Sequence, residues 1–133
     1  MSLTSVSIWS AVLAYMKAAT SVTSLLSASS AIKEAQWQGT VFVYPAVRVS
    51  LDLYPDITGR CPDRAELFID CFSEEKSSMQ AQILADAVYI LFHKVPFNQG
   101  ALKFSNVTVT KISRPVRTVE AWQSMVTVSV LVS

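Results

Sequence analysis

The sequence predicts an α+β domain, an antiparallel-rich sheet of four strands or slightly more with helices packed on one face. Three stretches carry this expectation. Arg64-Ala-Glu-Leu-Phe-Ile-Asp-Cys-Phe72 alternates as a strand does, with Leu67, Ile69 and Cys71 on one face and Phe68, Asp70 and Phe72 on the other. Ser77 to Lys94 predicts one long helix, because Ile83, Leu84, Ala87, Val88, Ile90 and Leu91 recur at three- and four-residue intervals and form a stripe able to cover the apolar strand face. Trp122 to Val132 predicts a strand with Val126, Val128, Val130 and Val132 on one face and Thr127 and Ser129 on the other.

The remaining elements follow in chain order. Thr4 or Ser5 can cap a first helix in which Val6, Trp9, Val12, Leu13 and Met16 share a side. Ser21 to Gln36 predicts a shorter helical piece around Leu25, Leu26, Ala31 and Ile32, weakened by serines that compete for the backbone. Between Val41 and Tyr54, Pro45 blocks a central strand position. Beyond it Val47, Val49, Leu51 and Leu53 alternate with Arg48, Ser50, Asp52 and Tyr54 as a half-buried strand.

Tyr54 to Asp63 is dense in Pro, Gly and Asp and predicts a loop joining two paired strands. In the long helix, Ser77 with Gln80 reads as a capping box, Glu74 and Glu75 sit near the positive end, His93 and Lys94 near the negative end, and Pro96 stops it. Phe97-Asn-Gln-Gly100 is expected to turn the chain. Phe104 to Ser113 is strand-like, with Val107 and Val109 set against Thr108 and Thr110, and Arg114-Pro115-Val-Arg117 interrupts it. Helix, strand, strand, helix, strand, strand without a repeat describes two hairpins joined through a helix.

A chain of 133 residues is expected to form one domain over 1–133. Eleven basic and ten acidic residues are spread throughout, and no basic stripe supports sequence-specific reading of nucleic acid. Only 16% of residues are charged, 51% are apolar and the mean hydropathy is +0.37, which points the surplus apolar surface toward a subunit interface. No apolar run approaches the length of a membrane span, so no membrane role is expected. Val6 to Met16 lacks a preceding Lys or Arg and ends at Lys17, so the N-terminal stretch reads as mature protein. Cys61 and Cys71 fit neither a disulfide framework nor a CxxC metal site and read as reduced thiols in a cytoplasmic setting.

Catalytic chemistry finds little to rest on. His93 is the only histidine and reads as a partner of the helix C-terminus rather than a base. With three glycines and no GxGxxG, P-loop or GxSxG pattern, no phosphate cradle or nucleophile elbow is present. Asp52, Asp56 and Asp63 fit no EF-hand spacing and read as a solvated loop. Asp70 reads as a half-buried acid paired with a basic residue of a neighbouring strand or subunit. No catalytic residue, cofactor or metal is expected. Trp9, Trp37 and Trp122 read as core fillers or interface anchors, with Trp37 and Trp122 favoured for an interface.

Taken together, the chain resembles the tail-completion or tail-terminator proteins of long-tailed bacteriophages. The resemblance rests on the N-terminal helix, Tyr44-Pro45-Ala-Val-Arg-Val-Ser-Leu-Asp-Leu53, the Arg64 to Phe72 strand, the Ala81 to Leu91 helix with its Leu84-Ala-Asp-Ala-Val88 centre, the Arg114-Pro115 break and the valine-rich last strand. It covers the chain from about residue 4 to the end and is a pattern of order, not a catalytic signature. It implies a non-enzymatic virion protein of the tail or neck, assembled in the host cytoplasm. Such a protein forms a ring, commonly hexameric, on the head-proximal end of the tail tube, stops tube growth and joins tail to head, with DNA passing through the ring. Its partners would be copies of itself, the tail tube protein and a head-completion or neck protein.

Strand edges at Phe104 to Ser113 or Trp122 to Val132 would add to a neighbour's sheet. The interface residues expected are Trp37, Tyr54, Asp56, Arg60, Arg114, Arg117 and Trp122, with tube contacts from the Tyr54 to Asp63 loop or the Arg114 to Thr118 turn. Two alternatives stand beside this reading. One is a head-closure or connector subunit. The other is a small ferredoxin-like ligand-binding protein or enzyme, which would need Asp70, Tyr89 and His93 to converge on an apolar pocket.

Overall fold

Through residues 4–26, 32–34, 45–55, 62–73, 78–117 and 121–133, which the computed structural model describes, the elements run α1 (Ser5–Ala18), α2 (Thr20–Thr23), β1 (Ile32–Glu34), β2 (Ala46–Tyr54), β3 (Asp63–Ser73), α3 (Met79–Phe92), β4 (Phe97–Gln99), β5 (Leu102–Ile112), β6 (Val116–Arg117) and β7 (Trp122–Val132). The sheet order is β1-β2-β3-β7-β5-β4, with β6 pairing β7. Every pairing is antiparallel except β1 with β2. The four long strands are those the sequence predicts, and β1, β4 and β6 are short additions.

The inner face of the sheet follows from the two-residue period. Val49, Ile69 and Val126 form one cross-strand row, and Leu51, Leu67 and Val128 the next. All but the half-buried Leu51 are fully buried. Burying a side chain of this size contributes about 1.5–3 kcal/mol, so these rows are a large local source of stability. β7 lies at the centre of the order, between β3 and β5. It is therefore not the free edge expected of Trp122 to Val132.

α1 and α3 cover this face. α3 lies against β3, β7 and β5, while α1 touches β1 and β2 at one end of the strand order and β4 at the other, so the sheet curls beneath it. Thr4 is the cap of α1: its Oγ1 accepts the Ser7 N–H at 3.1 Å, and the Ser7 Oγ accepts the Thr4 N–H at 3.1 Å. Ile8, Ala11, Val12 and Met16 are buried, whereas Val6 is 68% exposed, contrary to the expected stripe. Trp9 is half-buried and donates its indole N–H to the Val49 carbonyl of β2 at 2.9 Å, tethering helix to sheet.

The second helical piece is shorter than expected. α2 ends at Thr23, and Ile32 lies in β1 opposite Val47, where a β-branched side chain fits a pleated surface better than a helix. Ala31 lies outside the described residues. α3 also starts later and ends earlier than the periodicity implies. Ser78 occupies the cap position without a side-chain bond, and Ser73 Oγ donates to the Gln80 amide oxygen. Ser77 lies outside the described residues.

The buried side of α3 is Ala81, Leu84, Ala85, Val88 and Phe92, while Ile83 and Ile90 are exposed. The stripe is rotated from the expected one because small Ala81 and Ala85 let the helix backbone approach the sheet and large Phe92 fills its far end.

Phe97–Gln99 is a strand rather than only a turn: it pairs with Leu102–Phe104 across Gly100, whose φ of +60° suits glycine. Within β5, Asn106 takes a φ of +50° and the register shifts between Ser105 and Thr108. This bulge lets Phe104 and Val107, an odd number of positions apart, both reach the core. An aromatic cluster closes the same end. Tyr15 stacks on Phe97 at 3.8 Å and Phe97 on Phe104 at 4.4 Å, and Phe92 meets Tyr15 and Phe97 edge-on at 5.6 and 5.9 Å. The Tyr15 hydroxyl donates to the Leu91 carbonyl at 3.3 Å, and burial pushes its phenol up from the usual range.

On the outer face, Asp70 is half-buried beside Phe68 and Phe72, opposite Arg48 in register, and accepts from Gln123 Nε2 at 3.0 Å. Burial holds its carboxyl above the usual range, with the Gln123 bond partly offsetting this.

Two outcomes are expected. Phe97→Ala should lower unfolding stability in urea by about 3–4 kcal/mol, and Tyr15→Phe, which keeps the stack, by about 1 kcal/mol. Equal losses would remove the stack from this account. Because the folded Asp70 holds its proton more tightly than the unfolded chain does, its ionised form costs stability as pH rises above ~3.9. Asp70→Asn should therefore raise stability at pH 7 by less than about 1 kcal/mol, water screening the half-exposed group, and give no gain at pH 3. A gain equal at both pH values would contradict it.

Candidate interface surfaces

The expected interface residues that the structure describes fall into two groups. Trp37, Asp56 and Arg60 lie outside the described residues. Tyr54 ends β2 and is 43% exposed. Its hydroxyl donates to Glu66 Oε2 at 3.3 Å, and the Arg64 guanidinium sits 4.4 Å over its ring. Glu66 above all raises the Tyr54 phenol, burial and Asp52 adding to it and Arg64 opposing it.

The second group lies at the other end of the strands. Trp122 opens β7 between Ser73 and Arg117, half-buried, with the Arg117 guanidinium 5.9 Å from its ring centroid. Arg114 is exposed in the link between β5 and β6. Ser113 holds this link to the sheet: its N–H donates to the Met125 carbonyl at 2.8 Å, and its Oγ accepts the Met125 N–H at 2.8 Å.

Register measures the separation. Tyr54 pairs with Arg64 at the start of β3, and Trp122 with Ser73 at its end. Nine residues at ~3.3 Å each place the two groups roughly 30 Å apart along one strand. The molecule therefore presents two distinct ends rather than one site.

A third feature was not anticipated. α3 finishes at β5: the Lys94 N–H donates to the Val107 carbonyl at 2.7 Å, and the Val109 N–H donates to His93 Nδ1 at 3.1 Å. Lys94 takes a φ of +59° to do this. With β4 covering Leu102–Phe104, these bonds occupy much of the outer edge of β5, the edge expected to accept a neighbour's strand. His93 thus ties helix to strand instead of serving only the helix end. Asn106 inside an otherwise β-branched run was the available signal for the bulge it meets. Beside it, Lys94, Pro96, Ser105, Asn106, Val107 and Thr108 line an open cleft of about 440 Å³.

The polar groups that a ligand-binding pocket would need do not converge. Asp70 projects from the outer face of the sheet, whereas Tyr89 lies on α3 and His93 caps its C-terminus on the inner side, the two rings stacking at 4.8 Å. Cys71 is fully buried on the inner face, and burial pushes its thiol far up, away from a nucleophilic thiolate. Among the described residues no group of three or more His, Cys, Asp or Glu could hold a metal ion, and no helix is long and apolar enough to cross a membrane.

No family model matches this chain, and no curated protein matches it. Its fold is shared with solved structures. One is a chain of the virion of a native gene transfer agent particle, with a TM-score of 0.75 and 15% identity over 98% of this chain and 98% of that one. Another solved structure has a TM-score of 0.70 and 12% identity over 99% of this chain and 97% of that one. At these identities what is shared is the α+β architecture, end to end.

Proposed function

We propose that this chain is a structural subunit of a phage-like virion, a non-enzymatic protein that forms a ring, hexameric in the simplest reading, at the head-proximal end of a tail tube. There it ends tube growth and joins tail to head, with the tail tube protein on one side, a neck protein on the other and the genome passing through the centre. The observation that carries this reading is the fold shared over nearly the whole length with a chain of a virion particle. The likeness spans nearly all of both chains rather than a local motif.

The arrangement of the two ends supports the same reading. A joint between two different partners needs two different surfaces, and Tyr54 with Arg64 and Glu66 lies roughly 30 Å along β3 from Arg117 with Trp122, at ~3.3 Å per residue. The groups also differ in chemistry. The first is a mixed-charge aromatic cluster, the second an arginine near an indole, with exposed Arg114 in the link that leads to it. Aromatic and arginine side chains recur as anchors of protein interfaces.

Substituting Arg114 and Arg117 together by alanine should leave the urea midpoint unchanged, since both are exposed, and reduce the yield of tails joined to heads at least about tenfold. The yield is counted by electron microscopy of lysates or of purified tubes mixed with protein and heads. Normal joining would remove this end from the interface. Binding to heads but never to tubes would assign the chain to the connector instead.

A further inference from the structure

We propose that neighbouring copies of this chain meet head to tail, the acidic β2–β3 side of one sheet against the basic β5 side of the next. This rests on the ring reading and names the surfaces that would build the ring. The overall charge of +1 conceals a segregation. From Arg48 to Asp86 the chain carries eight acidic against four basic residues, and from Ala87 to Val119 it carries five basic residues and no acid. Those five, Lys94, Lys103, Lys111, Arg114 and Arg117, are all exposed. Lys103 and Lys111 lie on β5, toward the end of the strand order opposite β2, whereas Arg114 and Arg117 lie in the link to β6 and in β6, which pairs β7.

Register adds a second observation. Asp52 and Glu66 stand directly opposite each other on β2 and β3, and like charges facing across a ladder are destabilising on their own. A cation from another molecule would relieve that repulsion. Among the described residues β1 pairs with Val47, Arg48 and Val49 of β2, and no described strand pairs with Ser50 to Tyr54 on that side. At the basic end, β4, Lys94 and His93 already occupy much of the backbone edge of β5, so contact there is made by side chains.

Contact between two identical sides would set lysine against lysine, or acid against acid, which strongly disfavours a two-fold dimer. Opposite ends are complementary, and a head-to-tail contact that closes makes a ring. Such a contact weakens as salt screens it, over a Debye length of about 8 Å at physiological ionic strength.

The test is a charge swap in the full-length chain, followed by sedimentation velocity at low and high salt and by imaging on tail tubes. One variant carries Asp52→Lys with Glu66→Lys, the other Lys103→Glu with Lys111→Glu, and circular dichroism checks that each is folded. Wild type is expected to associate more weakly at high salt. Each variant alone should associate at least about tenfold more weakly, and an equimolar mixture should recover assembly because every contact again joins opposite charges.

Variants that assemble alone like wild type, or a mixture that does not recover, would overturn the charge assignment while leaving wild-type rings on tubes, and so the ring reading, intact. Absence of wild-type rings both in solution and on tubes would overturn both. A fluorescent DNA duplex is the control for a competing use of the lysines: if Lys103→Glu with Lys111→Glu abolishes duplex binding but leaves self-association unchanged, the basic end serves phosphates and the proposal fails.

Discussion

The stack of Tyr15, Phe97 and Phe104, with Phe92 set edge-on against it, is the contact on which the rest of this structure depends. It is where four elements distant in sequence meet: α1, the end of α3, β4 and β5. A curled sheet with one largely apolar face has to be closed by helices, and α1 reaches both ends of the strand order. The aromatic rings fix where it lands at one end and the Trp9 hydrogen bond to Val49 fixes it at the other. Offset and edge-on aromatic pairs add directional preference to the area they bury, so they set an angle as well as a distance.

How much of this was legible in the residues depends on range. The strands from Asp63 to Ser73 and from Trp122 to Val132 could be read because alternation is a local property and both are buried on one face along their length. The face of α3 could not. Six apolar residues surround much of that helix, and only the sheet decides that Ala81 and Ala85 turn inward while Ile83 and Ile90 stay outside. Ile32 failed for a related reason: its strand exists by pairing with Val47, a partner that helical periodicity does not register.

The placement of the expected interface residues is a matter of register. Tyr54, Arg114 and Arg117 are exposed and Trp122 is half-buried. That they form two separate ends is a fact of register, invisible until Tyr54 is seen opposite Arg64 and Trp122 opposite Ser73. The charge segregation lay in plain view, since no acid occurs between Asp86 and Glu120. A balanced total hid it, and only the strand order turns a sequence bias into a difference between two sides of a molecule.

The helix-to-strand clasp made by His93 and Lys94 has a consequence for how crowded copies behave. An uncovered rim of sheet invites identical chains to stack without limit, as amyloid does. By spending its own imidazole and a backbone amide on that rim, the chain leaves recognition to side chains, which discriminate between neighbours. Self-encounter at this rim becomes selective rather than adhesive.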